Sequence, residues 1–279
     1  MRSAGTATAG IVLLASCSPN VLVAIDSCSP DTVVCPGLVH RYSFDGAGTT
    51  VVDSVGRADG NVVGASLTGQ GTLTLVGFTG DQAQYVALPH GLLRGLHDAT
   101  FEAWINWAGS AAHDGTRTPW QRIFDFGAGT SGIEGEQASG GDPLSYLFLT
   151  PQTARRTATE DLSTRVAYQV PHNPQSVTLE TVVNTSPLPI DVDTHVGVVI
   201  DARANRMSLF VNGAVVGATN LVQDDPLSYV YDINDWLGHS QFPADEGFTG
   251  SFLEFRIYSV ALTAAQLQAS YDAGPDVVP

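Results

Sequence analysis

Met207-Ser-Leu-Phe-Val-Asn212-Gly213-Ala214-Val-Val-Gly-Ala218 decides the fold. Residues 207–211 and 214–218 read as short strands, and the Asn-Gly between them is the strongest hairpin signal in the chain. Working outward, His195–Asp201 precedes this hairpin and Gly250–Tyr258 follows it as further apolar runs. Upstream, Leu38–Phe44 alternates apolar and polar residues as an opening strand does. Runs of the same kind recur at Gly71–Val76, Gln84–Leu88, Thr100–Trp107, Arg122–Phe126, Ser145–Thr150 and Arg165–Val170. Many short strands at roughly even spacing, with almost no helix between them, predict an all-β sandwich or barrel.

A single helix is signalled, near the C-terminus. Thr263 stands as its cap and Gln266, three residues on, completes a capping box; Leu262 and Leu267 occupy the staple positions. Gly274-Pro275 stops it. Its expected task is to pack Leu267 and Tyr271 onto the sheets. Two segments break the strand rhythm. Gly127–Pro143 is Gly-rich and Thr153–Thr164 is polar, and both read as loops, the first as a flexible insertion. No Lys follows the first, and neither P-loop nor dinucleotide spacing is present.

The chain has 279 residues, enough for one large domain with a full core. Its formal charge is −16, and all twelve basic residues are Arg. Such a surface excludes a general role on nucleic acid or anionic lipid, since nothing would neutralise the phosphates. It also disfavours acidic polymers as ligands. The missing Lys is accounted for by GC-rich coding.

The N-terminus reads as an address and a tether. Arg2 precedes a short apolar run, Ala9–Ala15, centred on Ile11–Leu14, which is too short to span a bilayer and shaped like the h-region of a signal peptide over residues 1–16. Leu14-Ala15-Ser16-Cys17 resembles the bacterial lipobox, which implies a lipid on Cys17 and an outer-membrane or cell-surface lipoprotein. An ordinary signal peptide with a coincidental Cys, giving a secreted protein, is the other reading. Pro, Ser and Asp density marks residues 17–37 as a linker, within which Cys28 and Cys35 read as one local disulfide in an exported chain.

The order of several stretches carries a family resemblance. Leu38-Val-His-Arg-Tyr-Ser-Phe-Asp45-Gly is followed by Asp53-Ser-Val-Gly and Asp59-Gly-Asn61; Ala99-Thr-Phe-Glu-Ala-Trp104-Ile leads to Gln121-Arg-Ile-Phe-Asp125-Phe-Gly127. Leu237-Gly-His-Ser240, then Phe248-Thr-Gly-Ser-Phe-Leu-Glu254-Phe-Arg256-Ile-Tyr258 and Ala261-Leu262-Thr263, close the series. Over residues 38–274 the chain resembles a LamG-like jellyroll of the concanavalin A-like lectin/glucanase superfamily. The resemblance implies two antiparallel sheets packed face to face. It also implies binding of carbohydrate or protein, in many members with a structural calcium.

Which of the family's chemistries survives is then a question of residues. Glucanase relatives set carboxylates along one strand as Glu-x-Asp-x-x-Glu, and no such run exists here; Glu134-Gly-Glu136 and Glu160-Asp161 sit in polar loops where nothing would raise a pKa. The seven His are scattered, and no nucleophile elbow occurs. A non-catalytic binding module is the expectation, with a polysaccharide hydrolase or a structural envelope domain as alternatives. For calcium, Asp45 at the end of the first strand, Asp53 and Asp59 in the following loop and Glu254 on the last long strand form the expected oxygen set, against a reading of these acids as turn formers and solvated charges. Leu253 stands where relatives carry an Asp. For a glycan, Trp120, near Arg117 and Arg122, is the surface aromatic to stack a sugar. Trp236 reads as packed, and Trp104 and Trp107 have opposite strand parity, so one faces the core.

Overall fold

The computed structural model describes residues 37–77, 82–110, 120–140, 142–153, 163–169, 180–222 and 225–279. The expectations for the signal segment, Cys17, and Cys28 with Cys35 lie outside the described residues. In chain order the first strands are β1 (Leu38–Tyr42), β2 (Ala47–Gly48), β3 (Thr50–Val51), β4 (Gly60–Val63), β5 (Leu67–Thr68), β6 (Leu73–Val76), β7 (Tyr85–Leu88) and β8 (Ala99–Trp107). Next come β9 (Phe124–Ala128), β10 (Ser145–Thr150), β11 (Thr164–Gln169), β12 (Glu180–Thr185) and β13 (Asp193–Asp201). The series ends with β14 (Arg206–Val211), β15 (Ala214–Asn220), β16 (Asn234–Leu237), β17 (Thr249–Tyr258) and helix α1 (Ala264–Ala273).

Two antiparallel sheets face each other. One runs β1-β17-β8-β13-β14-β15, with β6 also on β17; the other runs β12-β11-β10-β9-β16-β7-β4-β3, and β2 with β5 forms a small ribbon. The sandwich expected from the sequence is therefore the fold. The Asn212-Gly213 hairpin joins β14 to β15 with Val211 opposite Ala214, both turn residues at positive φ.

Period-2 alternation explains the core. On β9, β10 and β11 the residues Phe124, Phe126, Leu147, Leu149, Val166 and Tyr168 enter the inter-sheet core. Phe101 and Phe255 meet Phe124 and Phe126 from the opposite sheet, with ring centroids 5.3 to 6.1 Å apart. Trp107 lies in this core and donates its indole N–H to Gln121 Oε1 at 2.9 Å. Trp104 points the other way and is also buried, between the Arg256 guanidinium and His195, each 4.4 Å from its ring.

Helix α1 begins as expected: Thr263 and Gln266 form the reciprocal capping box, and Gly274 ends the helix at φ 82°. Leu267 is buried with Leu262, Val199, Phe210 and Tyr258. Tyr271, expected to pack, stays 39 % exposed with one face toward His195. Beneath the helix, Glu102 takes hydrogen bonds from Ser270 Oγ and His195 Nε2, so His195 is a buried structural residue.

One loop expectation changes, while 154–162 of the other, Thr153–Thr164, lie outside the described residues. Gly127 and Ala128 belong to β9, because a side chain at 127 would meet the Ser145 carbonyl 2.2 Å away and glycine alone lets β10 approach. The rest of the Gly-rich segment is not a free insertion: Asn234 on β16 accepts from Gly135 N–H and donates to the Glu136 carbonyl, tying it to the sheet.

Candidate functional site

The outer face of the eight-stranded sheet carries the site. Alternation turns Tyr146 and Phe148 of β10, Arg165 and Gln169 of β11 and Glu180 of β12 away from the core. Beside them lie Trp120, Arg122, Phe242 and Asp245 from two loops, and Asp142 from the segment before β10. Together these line an open cavity of about 400 Å³. Tyr146, Phe148 and Ala167 form an apolar cluster here, separate from the core, with Trp120, Val182 and Phe242 packed against it.

The loop residues are held firmly. Gln121 is fully buried. Its amide donates to the Gly109 carbonyl and Glu246, and its oxygen accepts from Trp107 Nε1 and Thr249 N–H. With every group satisfied, this one side chain anchors the segment and leaves its neighbours Trp120 and Arg122 at the cavity. Arg122 lies flat on Phe148, its guanidinium 3.9 Å from the ring centroid. Its N–H groups reach Asp125 (3.2 Å), the Trp120 carbonyl (2.8 Å) and Asp245 (2.8 Å). Ser240 Oγ donates to the same Asp245 oxygen, which fixes the loop carrying Phe242. Arg165 lies 5.0 Å from the Trp120 ring centre, and its Nε donates to Asn184.

Two titrations are perturbed at the site. Burial pushes Asp125 up to about 7, against the opposing pull of Arg122 and the Gln241 N–H. Burial also raises the Tyr146 phenol, and the carboxylate of Glu180, which accepts its hydrogen bond at 3.2 Å, raises it further. The phenol thus stays a neutral donor.

Of the residues singled out from sequence, Trp120 sits at the cavity and is half-buried. Trp236 is packed, as expected, against Tyr85 and His239. Arg117, Glu160 and Asp161 lie outside the described residues. Glu134 and Glu136 sit on the tied loop, the first exposed beside His90 and the second accepting from Ser131.

Of the four acids expected to bind calcium, Asp53 and Glu254 are engaged by hydrogen-bond donors of the protein. Asp53 Oδ1 accepts from the N–H groups of Arg41, Val55 and Gly56, and Oδ2 from Ala58 N–H and His40 Nδ1. Burial alone would raise its pKa, but these donors outweigh it and hold the carboxyl at about 2. Asp59 accepts from the Asp53 N–H, and Asp45 is exposed. Glu254 is fully buried; Arg41 grips both its oxygens at 2.8 and 3.1 Å, and Arg256 and the Asp276 N–H add to them. Among the described residues no three His, Cys, Asp or Glu side chains are grouped to hold a metal ion. Asp53 and Glu254 hold loop and strand in place.

Two of the residues that sequence reasoning missed, Tyr146 and Phe148, had a signal. Tyr146-Leu-Phe148-Leu is apolar on both faces, which marks a strand covered on both sides, one by core and the other by something else. Phe242 and Asp245 had none, because loop residues carry no periodicity.

A family model for the concanavalin A-like lectin/glucanases superfamily, Laminin_G_3, matches residues 79–268. The chain belongs to this family. A search of curated proteins finds no match. Solved structures share the Laminin_G_3 fold at low identity. Domain 4 of AbnA, a GH43 extracellular arabinanase from Geobacillus stearothermophilus, in complex with arabinotriose, is 19 % identical with a TM-score of 0.52, over 84 % of this chain and 97 % of that one. Botulinum neurotoxin type C, whose cell entry depends on interaction with two ganglioside molecules, is 12 % identical with a TM-score of 0.56, over 85 % of this chain and 51 % of that one. Both likenesses are of fold. No helix among the described residues is long and apolar enough to cross a membrane.

Proposed function

We propose that this chain is a non-catalytic carbohydrate-binding module that works outside the cell, with the saccharide seated in the Trp120 cavity. The observation that carries the reading is the cavity's construction: a half-buried indole beside fixed polar groups, on a sheet face walled by Tyr146, Phe148 and Phe242. Sugars present flat C–H faces edged by hydroxyls, and a concave aromatic site with a few pre-placed donors and acceptors matches that shape. Arabinotriose on the AbnA domain and gangliosides on the neurotoxin support a saccharide ligand for this fold. Export rests on the signal-peptide reading of residues 1–16, with its apolar run Ala9–Ala15, and anchoring through Cys17 and the Cys28–Cys35 disulfide are parts of the same proposal.

The test is calorimetric titration against a panel of oligosaccharides, with Trp120→Ala beside the wild type. Binding should fall at least about tenfold in the variant while its unfolding midpoint changes little, since the indole is only half-buried. Equal affinity in the two proteins would move the site elsewhere. Release of reducing ends from any member of the panel would overturn the non-catalytic reading.

A further inference from the structure

On the carbohydrate reading of this cavity, we propose that it excludes acidic sugars: Asp245 withholds Arg122 from a ligand carboxylate, Asp142 and Glu180 repel one, and the ligand is an uncharged saccharide. The usual receptor for a sugar carboxylate is a guanidinium edge offering two parallel N–H groups. Arg122 has no such edge to offer. Its Nε points at Asp125 Oδ2 (3.2 Å), its second terminal nitrogen at Asp245 Oδ2 (2.8 Å) and its first at the Trp120 carbonyl (2.8 Å). The plane itself is stacked on Phe148, and the side chain is 2 % exposed. Held in this way, Arg122 contributes a rigid polar floor with its charge already neutralised by protein.

The exposed carboxylates act in the same direction, opposed by Arg165. Arg165 is laid along Trp120 and bonded to Asn184. Asp142 and Glu180 are exposed at the end of the cavity that contains the Tyr146 hydroxyl, and Glu180 accepts from that hydroxyl. Two arginines therefore stand against three lining carboxylates, with the Asp125 carboxyl behind Arg122. A ligand carboxylate ~7 Å from either exposed acid would lose about threefold in affinity per acid, even at the dielectric constant of water.

The experiment compares matched neutral and carboxylate-bearing oligosaccharides, arabino- and galacto-oligosaccharides against oligogalacturonates and sialylated glycans. They are titrated into the full chain, Asp245→Asn and the double variant Asp142→Asn/Glu180→Gln. The wild type should bind neutral members at least about tenfold more tightly than acidic ones. Asp245→Asn removes one of the two carboxylate charges held against Arg122 and should raise affinity for acidic members about tenfold, narrowing or inverting the preference. The double variant, whose substitutions are both at exposed positions, should narrow it by about threefold per site, and this arm decides if Asp245→Asn does not fold. A wild type that prefers acidic members leaves the carbohydrate reading standing and overturns this proposal. So does an unchanged ratio in a folded Asp245→Asn or in the double variant. A wild type that binds no glycan of either kind removes the carbohydrate reading itself.

Discussion

Replacing Asp53 with Asn separates a hydrogen-bond hub from a cation ligand. The carboxylate takes five donors, four from backbone N–H groups and one from His40 at 2.6 Å, and its side chain is fully buried. Its pKa falls from the model-peptide value of 3.8 to about 2 in the folded chain. A depressed carboxyl pKa contributes stability above the unfolded value, here about 2 kcal/mol, and that stability is lost as pH falls through the folded value. An amide keeps the shape but turns one acceptor into a donor facing other donors, which adds about 1–3 kcal/mol at every pH. Asp53→Asn should therefore cost about 3–5 kcal/mol near neutrality, a midpoint drop on the order of 10 °C for a domain of this size. Urea unfolding of both proteins from about pH 7 to about pH 2 checks it, and the gap should shrink by about 2 kcal/mol between pH 4 and pH 2 as the wild type is protonated. A gap that stays constant down to the acid limit would refute the charge argument. A wild type stabilised by millimolar calcium, with the variant indifferent to it, would restore Asp53 as a ligand.

Two further outcomes test the fold. Phe255→Ala removes a fully buried ring that meets Phe124 and Phe126 across the sandwich and Tyr42 on the neighbouring strand, and should cost about 3–5 kcal/mol by urea denaturation. Thr263→Ala removes the capping box of α1 and should cost about 1 kcal/mol, with faster hydrogen exchange confined mainly to the helix and the Ser270–Glu102 contact beneath it.

The sheets were legible because alternation and turn chemistry are local. Asn212-Gly213 needs only its own two backbone conformations to make a hairpin, and Thr263 with Gln266 needs only one helical turn. Strands that were missed show where local information ends. In β16, Asn-Asp-Trp-Leu gives no strand signal, since its two leading residues are strand-poor. It is a central strand nonetheless, because Asn234 bonds the Gly-rich loop and Trp236 packs on Tyr85 and His239. The partners of the carboxylates were hidden for a related reason. An Asp at a strand end looks the same in sequence whether its oxygens face a cation or its own backbone. Glu254 meets Arg41 from a strand 213 residues away in the chain, a partner that no spacing rule could name.

At the cavity, the acidic side chains serve two different ends. Asp125 and Asp245 are turned inward onto Arg122, where they fix a stacked cation and cancel its charge. Asp142 and Glu180 face solvent, where they set the field that an arriving ligand meets. The first pair can be chosen only together with Arg122 and Phe148, because removing any one partner leaves a buried charge or an empty ring face. The second pair is free to vary without disturbing the sheet. Recognition in this cavity is therefore divided between a floor that the fold makes rigid and a rim whose charge can change. A change of ligand charge class within this architecture would begin at the rim.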